Sequence, residues 1–319
     1  MSNWKKYFYK AGGWSLIKHY LRGGVLSTAI MQFLTLGKSK TALEILRMSI
    51  SLKIKQKFVR KYHSVIDDFD KSWDSRLTHN INRTIWLFWW QGIDNAPELV
   101  KVCYESVKRH HGSSWKIVLL SEQNYKEYVT FPAHIIKQFK SGIISITHLS
   151  DMLRLELLIK YGGLWIDATV LCTGNEIPKS IFKSDLFVFQ AQKPGADGMA
   201  SLMSNWLMYA KTNQRILHLT LTLIYEYWKR NNFLMDYFFF HKFFTIACET
   251  YPNDAAKIPP FCNSVPHILQ LHLFDKYDEI FWEDLKKMTC FHKLTYKLDT
   301  EKCKEKGTYF DMLIHNDID

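Results

Sequence analysis

The chain has 319 residues, of which 47% are hydrophobic and 15% are aromatic, and its formal net charge is +11. This composition excludes an intrinsically disordered protein, and the length predicts one large domain or one domain with additions. The six cysteines form no CxxC pair and no zinc-finger spacing, which indicates reduced thiols rather than a disulfide or zinc framework.

The excess of positive charge predicts an anionic partner, either nucleic acid or an anionic membrane surface. No helix-turn-helix, RNP or zinc-finger motif can be placed in the sequence, so nucleic acid is not expected. Residues 4–22 mix aromatic and aliphatic side chains with basic ones, which suits the headgroup region of a membrane. The apolar ones are Trp4, Tyr7, Phe8, Trp14, Leu16, Ile17 and Leu21, and the basic ones are Lys5, Lys6, Lys10, Lys18 and Arg22. A solvated helix that packs on its own domain explains this segment almost equally well.

We expect a cytoplasmic protein that is peripheral on the inner face of the cell membrane. The apolar run at residues 25–36 is shorter than the roughly 20 residues needed to cross a bilayer. No convincing signal peptide precedes it.

In chain order, residues 1–82 are interpreted as a charged, helical N-terminal extension, which leaves residues 83–319 as the main domain. The β-branched and aromatic content of residues 84–90 predicts a first buried strand. Asn95 begins a capping-box pattern, which predicts the start of a helix that ends near Gly112.

Residues 115–120 predict a second strand, and Ser121 is expected to cap the helix after it. Residues 185–190 predict a further strand, residues 206–244 are expected to be helical and aromatic, and residues 279–287 predict a C-terminal helix. Strands that alternate with helices favour an α/β fold with a mostly parallel sheet.

The segment from 150 to 169 carries the strongest signal. Ser150 is expected to cap a helix, with Asp151 in its first turn and Arg154 three residues later on the same face. Gly162 and Gly163 suit the left-handed conformation that ends a helix.

A buried strand is predicted over residues 164–171, and Asp167 interrupts it. An unpaired carboxylate inside a sheet is costly, so Asp167 is expected where the strand emerges. That edge, at the carboxyl ends of parallel strands, is where α/β folds bind ligands.

These residues resemble the capsular polysaccharide synthesis proteins, a bacterial glycosyltransferase family, and more distantly the retaining transferases with an Asp-x-Asp motif. The resemblance runs from about residue 83 to residue 297. It is carried by residues 88–92, 150–154, 161–169 and 292–297. It implies a GT-A fold, which is a Rossmann-like sheet flanked by helices, and a nucleotide-diphosphate sugar as donor.

The same resemblance implies the site residues. It implies that the catalytic residues are Asp167, Asn205 and Asp236. It implies that the donor-binding residues are Trp89, Trp90, Gln91, Asp151, Arg154, Thr169, Lys293 and Lys297. A divalent cation, Mn²⁺ or Mg²⁺, is expected on Asp167 and His292. The plainer alternatives are core aromatics at positions 89 and 90, an ordinary ion pair at 151 and 154, and a satisfied structural histidine at 292.

Thr169 stands where the family motif ordinarily has a second carboxylate. One carboxylate, one hydroxyl and two phosphate oxygens still offer the oxygen ligands that Mn²⁺ and Mg²⁺ prefer, so a metal is expected. The substitution leaves open a catalytically inactive homologue that binds sugar nucleotides within a transferase complex. A toxin-like transferase that modifies host proteins is the minor alternative.

The predicted activity is transfer of galactose or glucose from a UDP-hexose to a lipid-linked oligosaccharide or related glycan in capsular polysaccharide synthesis. Retention of the anomeric configuration is implied by the resemblance alone. No carboxylate can be assigned as a nucleophile, so the acceptor hydroxyl is expected to attack from the front face and to pass its proton to a diphosphate oxygen.

Overall fold

The computed structural model describes residues 13–174, 176–191 and 202–315. The strands are β1 (Thr84–Phe88), β2 (Lys116–Leu120), β3 (Gly163–Ile166), β4 (Val170–Cys172), β5 (Leu186–Gln190), β6 (Met203–Ala210) and β7 (Phe291–Lys293). Five of them form a sheet in the order β2-β1-β3-β6-β5, and β4 pairs with β7 separately. In the large sheet β6 alone runs against the other four strands.

Helices surround this sheet. They are α1 (Gly13–Arg22), α2 (Leu26–Leu36), α3 (Lys40–Ser72), α4 (Glu98–His111), α5 (Ala133–Lys140), α6 (Ile146–Lys160), α7 (Lys179–Lys183), α8 (Arg215–Arg230), α9 (Phe239–Thr250), α10 (Pro252–Ala255), α11 (Ile268–His272), α12 (Glu279–Met288) and α13 (Tyr309–His315). Short 3₁₀ turns lie at Ile93–Asn95, Tyr125–Glu127, Val265–His267 and Lys302–Lys304.

The predicted α/β fold with a mostly parallel sheet flanked by helices is confirmed, and its GT-A assignment stays a prediction. Within the described residues no helix combines the length and the apolar character needed to cross a bilayer.

The N-terminal helices pack on the rest of the chain. Phe58 of α3 stacks on Phe243 of α9, with ring centroids 4.7 Å apart, and meets Tyr227 of α8 edge to face at 5.8 Å. All three rings are buried, and burial of a side chain of this size contributes about 1.5–3 kcal/mol. A boundary at residue 82 stays a prediction, and residues 4–12 of the predicted membrane segment lie outside the described residues.

Two glycines let α6 return directly into the sheet, as predicted. Gly162 and Gly163 have φ of +69° and +101°. A Cβ on Gly163 would lie 2.4 Å from the carbonyl oxygen of Thr84 on β1. The close approach of two strands therefore requires glycine here, in addition to its conformational freedom.

The predicted helix over residues 206–244 is wrong in its first part and in its middle. Residues 203–210 form β6, because they pair with β3 on one side and with β5 on the other. Helix α8 begins only at Arg215, and residues 231–238 separate it from α9. Pairing with remote strands has overridden the local pattern.

The predicted helix starts also need correction. Helix α6 begins five residues earlier than expected, because the hydroxyl of Ser145 accepts the backbone N–H of His148. Ser150 therefore lies inside the helix, and Asp151 is not in its first turn. Helix α4 begins after Pro97, while Asn95 donates to the carbonyl of Gln91 instead of capping the helix.

Ser121 does not begin a helix directly. Its hydroxyl accepts the N–H of Gln123, and the 3₁₀ turn Tyr125–Glu127 follows. The predicted strand over residues 164–171 is split into β3 and β4, which belong to different sheets. The strand over 185–190 and the helix over 279–287 are confirmed to within one residue at each end.

Candidate active site

Asp167 lies at the carboxyl edge of the sheet, directly after the last residue of β3. Its N–H donates to the carbonyl of Trp206 on β6 at 2.8 Å, and its own carbonyl accepts the N–H of Val170 at 3.0 Å. These bonds form the turn that carries the chain from β3 to β4. The Asp167 side chain is 26% exposed, so the predicted emergence of this carboxylate from the sheet is confirmed.

Arg154 connects the helix to this carboxylate. Its Nη1 lies 3.4 Å from Oδ1 of Asp167, and its Nη2 lies 3.3 Å from Oδ1 of Asp151. The guanidinium also stacks 4.8 Å from the ring centroid of Trp165 and donates to the carbonyl of Asn205. The side chain is 5% exposed, so this cation is held almost entirely by protein groups.

Asp151 is the second carboxylate of the cluster, and it is buried. Its Oδ1 accepts Nδ2 of Asn205 at 2.8 Å, and its Oδ2 lies 3.4 Å from Nδ1 of His148. Burial raises the pKa of Asp151, but the Arg154 charge and the His148 contact outweigh it and hold that pKa below its ordinary value. Asp151 is therefore ionised at neutral pH.

A second cation reaches Asp167 from the C-terminal part of the chain. Lys293 lies opposite Val170 in the β4–β7 pair, and the N–H of Leu294 donates to the carbonyl of Thr169 at 2.9 Å. Nζ of Lys293 lies 3.3 Å from Oδ2 of Asp167 and donates to the hydroxyl of Thr169 at 2.5 Å. The carboxylate of Asp167 is thus flanked by one cation on each oxygen.

His292 is oriented away from this cluster. Neighbouring residues on a strand point to opposite faces, and the ring of His292 packs 5.9 Å from that of Trp282. Its Nε2 lies 3.0 Å from the hydroxyl of Thr173, and burial lowers its pKa to about 4. The structure therefore does not bring the two predicted metal ligands, Asp167 and His292, together, and His292 has the surroundings of a structural histidine.

The described residues offer a poor ligand set for the expected divalent cation. Across residues 13–174, 176–191 and 202–315, no three His, Cys, Asp or Glu side chains form a group that could hold a metal ion. The position beside Asp167 and Thr169 is taken by the ammonium group of Lys293. The side chains present do not fit a resident Mn²⁺ or Mg²⁺.

The strand predicted over residues 84–90 ends at Phe88, so Trp89 and Trp90 lie beyond β1, with Trp90 in a turn, and they face different surroundings. Trp89 packs near Ala168 and meets Tyr296 edge to face at 5.2 Å, so it lies on the side of the candidate site. Its indole N–H is buried and has no hydrogen-bond partner among the described residues. Trp90 packs against aromatic side chains of the core. Gln91 is exposed, and its backbone carbonyl accepts a hydrogen bond from the side-chain amide of Asn95.

Two predicted site residues have no described contact with the cluster. Asp236 lies 2.9 Å from the buried ammonium of Lys242 and accepts the N–H of Phe238 at 2.7 Å, which places it at the start of α9. Lys297 is exposed, and its backbone N–H donates to the hydroxyl of Thr295. Their roles in catalysis and donor binding stay predictions.

Sequence reasoning missed an aromatic rim around the cluster. The ring of Tyr237 lies 5.6 Å from that of His148, and burial together with the charges of Asp151 and Asp167 raises its pKa. Tyr237 and Tyr296 are 59% and 43% exposed. Tyr296 belongs to the segment 292–297 that carries the resemblance, and this membership is the signal that could have identified it. Tyr237 directly follows Asp236, the residue for which the resemblance implies a catalytic role.

Curated proteins with related sequences are named glycosyltransferases. The chain is 26% identical over 147 residues to the O-glycosyltransferase PaGT of Phomopsis amygdali, which covers 40% of this chain and 35% of that protein. It is 28% identical over 164 residues to the O-glycosyltransferase braB of Annulohypoxylon truncatum, which covers 46% and 38% of the two chains. The matched part thus spans little more than a third of each relative.

Among solved structures, the PaToxG Glycosyltransferase aligns with 85% of this chain and 98% of its own, at 15% sequence identity and a TM-score of 0.37. The family model described as capsular polysaccharide synthesis protein matches residues 38–313, which include every residue of the cluster around Asp167. This match spans most of the chain and confirms the resemblance noted in the sequence. The chain belongs to the capsular polysaccharide synthesis protein family.

Proposed function

We propose that this protein is a glycosyltransferase that moves a hexose, galactose or glucose, from a UDP-sugar to a lipid-linked oligosaccharide or related glycan. The observation that carries the proposal is the partly exposed carboxylate of Asp167, held between Arg154 and Lys293 at the carboxyl edge of the sheet. Ligands of open α/β sheets bind at this edge. Family membership and the names of the curated relatives support transfer of a sugar in particular.

The reaction breaks the bond between the anomeric carbon and the diphosphate oxygen, whose electron pair stays on the diphosphate. The acceptor hydroxyl bonds to the anomeric carbon, and its proton passes to a diphosphate oxygen, with retention of configuration. Lys293 is 20% exposed beside Asp167 and can therefore reach an added anion. Cationic groups that are already in place stabilise the charge that develops on a leaving group.

Asp151, Arg154 and Asn205 form the support of this site. The side chains of Asp151 and Arg154 are 7% and 5% exposed and are already engaged with one another, with Asn205 and with Asp167. We assign Asp167 to direct contact with the donor, and the other three to holding it in orientation. A hexose hydroxyl that reaches Asp151 would extend the same network.

A lipid-linked acceptor requires that the enzyme reach a membrane, and helices α1 to α3 suit an anionic one. Large apolar side chains are exposed on these helices, namely Leu21, Ile30, Met31, Leu34, Leu36, Ile45, Met48 and Leu52. Residues 13–66 contain one acidic residue, Glu44, and, apart from Lys55, which is buried and paired with Glu249, the basic residues Lys18, Arg22, Lys38, Lys40, Arg47, Lys53, Lys57, Arg60 and Lys61. Exposed apolar groups among basic ones bind at the interface of anionic lipids without spanning the bilayer.

The proposal is tested by a thermal-shift screen of UDP, GDP and TDP sugars, followed by an assay of donor hydrolysis and transfer. A specific donor stabilises the folded state in proportion to the logarithm of its concentration above Kd. We expect UDP-galactose or UDP-glucose to raise the Tm and to release UDP on incubation. A protein that responds to none of these nucleotides contradicts the proposal.

The second candidate is a catalytically inactive partner of a transferase complex, which binds the donor without turning it over. It is favoured by Thr169, which stands in place of the second carboxylate of the motif. Binding of UDP-hexose with neither hydrolysis nor transfer would favour this alternative.

A further inference from the structure

Lys293 occupies a fixed position between the two side chains from which a metal site would be expected. Its ammonium nitrogen lies 3.3 Å from Oδ2 of Asp167 and 2.5 Å from the hydroxyl oxygen of Thr169. These are the first and third positions of the segment Asp167-Ala168-Thr169. One protonated amine therefore bridges both ends of the motif.

The backbone determines this position. Val170 and Lys293 are opposite one another in the antiparallel pair of β4 and β7, and the N–H of Leu294 donates to the carbonyl of Thr169. The Cα of a lysine at that register lies next to the turn that contains Asp167. Its extended side chain therefore places the ammonium group beside the carboxylate. The ammonium group is consequently placed by strand pairing rather than by a mobile loop.

The other oxygen of Asp167 is also engaged. Oδ1 accepts the indole N–H of Trp165 at 3.0 Å and lies 3.4 Å from the guanidinium of Arg154. A divalent cation on this carboxylate would have to displace Lys293 or share the site with two positive charges. Thr169 offers such a cation a neutral hydroxyl rather than a second carboxylate, so the local charge disfavours the exchange.

We propose that Lys293 supplies the positive charge on the donor diphosphate that a divalent metal supplies in related transferases, and that donor binding and cleavage here do not require a metal. The inference rests on the proposed function. When the bond to the anomeric carbon breaks, the electron pair stays on the diphosphate, and Lys293 remains protonated and donates a hydrogen bond to it. Thr169 and Asp167 hold the ammonium group in place before the donor arrives.

The test compares the metal-stripped full-length protein in EDTA with the same protein in Mn²⁺. Two quantities are measured, namely the Tm shift caused by UDP and the release of UDP from UDP-glucose and UDP-galactose. We expect both to differ by less than about twofold between the two conditions. Titration of Mn²⁺ followed by electron paramagnetic resonance is expected to show no stoichiometric binding, with or without UDP.

The lysine itself is tested with Lys293→Met and Lys293→Arg. We expect Lys293→Met to weaken UDP binding at least about 10-fold, since a charge-assisted hydrogen bond is lost, and Lys293→Arg to recover most of the affinity. The matched control is Lys211→Met, because Lys211 pairs with Asp185 at 2.6 Å and its side chain is 19% exposed, as covered as that of Lys293. This control is expected to bind UDP like the wild type.

The outcomes separate the inference from the proposed function. UDP binding that disappears in EDTA and returns with Mn²⁺ overturns the inference and leaves the transferase proposal intact. Stoichiometric Mn²⁺ binding by the wild type also overturns it, and neither measurement depends on how the Lys293 variants fold. A protein that binds no UDP in either condition contradicts the proposed function, and the inference with it.

Discussion

Nη1 of Arg154 lies 3.4 Å from Oδ1 of Asp167, and this contact connects the middle of α6 to the carboxyl end of β3. The same guanidinium lies 3.3 Å from Asp151, so one buried cation holds two carboxylates. Only Asp167 is partly exposed among the three. The helix therefore acts through Arg154 to orient the more exposed of these two carboxylates.

Replacing Asp167 with asparagine should abolish transfer while leaving the fold intact. The amide keeps the shape of the side chain but removes the charge that positions Arg154 and Lys293. We expect turnover at saturating donor to fall at least about 100-fold, the size of effect seen when one preorganised polar group is lost from an active site. Steady-state release of UDP measures this. Asp185→Asn, at a comparable ion pair with Lys211, is the control, and near wild-type turnover of the Asp167 variant would exclude a catalytic role.

Replacing Arg154 with alanine should destabilise the protein. The substitution leaves Asp151, and Oδ1 of Asp167, without the cation that pairs with them in this buried site. Breaking a buried ion pair by removing one partner costs on the order of 3–5 kcal/mol. Urea denaturation measures the loss. Lys108→Ala removes an exposed pair with Glu105 and should leave the free energy of unfolding nearly unchanged, because exposed ion pairs contribute little. A loss of similar size in both variants would mean that Arg154 contributes no more than a surface residue.

Stability should fall as the pH decreases from about 6.5 to about 4. Burial lowers the pKa of His292 and of His111 from 6.5 to about 4, so the unfolded chain takes up protons in this window before the folded chain does. Each histidine then removes up to about 1.4 kcal/mol per pH unit from the free energy of unfolding, and the full contribution is present above 6.5.

The check on this pH dependence is His292→Gln, which should flatten the slope of stability against pH between 6.5 and 4. His63→Gln is the control for the loss of a histidine as such, since that histidine is exposed on α3. Identical slopes in all three proteins would contradict the assignment.

Membrane binding should depend on α2. Leu34 is 76% exposed there, and Leu34→Asp removes an insertion worth about 1.5–3 kcal/mol, or roughly 10-fold or more in affinity. Co-sedimentation with phosphatidylglycerol vesicles measures binding, which should also fall as salt rises because surface charge is screened. Leu271→Asp, at a 79% exposed leucine of α11, should bind like the wild type. If the wild type does not bind the vesicles at low salt, the exposed apolar residues of α1 to α3 do not serve to bind a membrane.

Local chemistry was enough to predict the frame of the site. Two adjacent glycines end α6, a short apolar run forms β3, and an acidic residue at its end must leave the sheet because a buried unpaired carboxylate is costly. Each of these inferences concerns a few consecutive residues. They were therefore sufficient to predict that Asp167 lies at the carboxyl edge, where ligands bind.

Pairing between strands that are distant in the sequence determined the rest of the fold and of the site. The strand at 203–210 looks helical until its partners β3 and β5 are known, and the register of β4 with β7 directs Lys293 toward Asp167 and His292 away from it. Lys293 and Thr169 are 124 positions apart, so no local pattern records their contact. The sequence alone therefore predicted a set of candidate site residues, while hydrogen bonding between distant strands decided which of their charges meet.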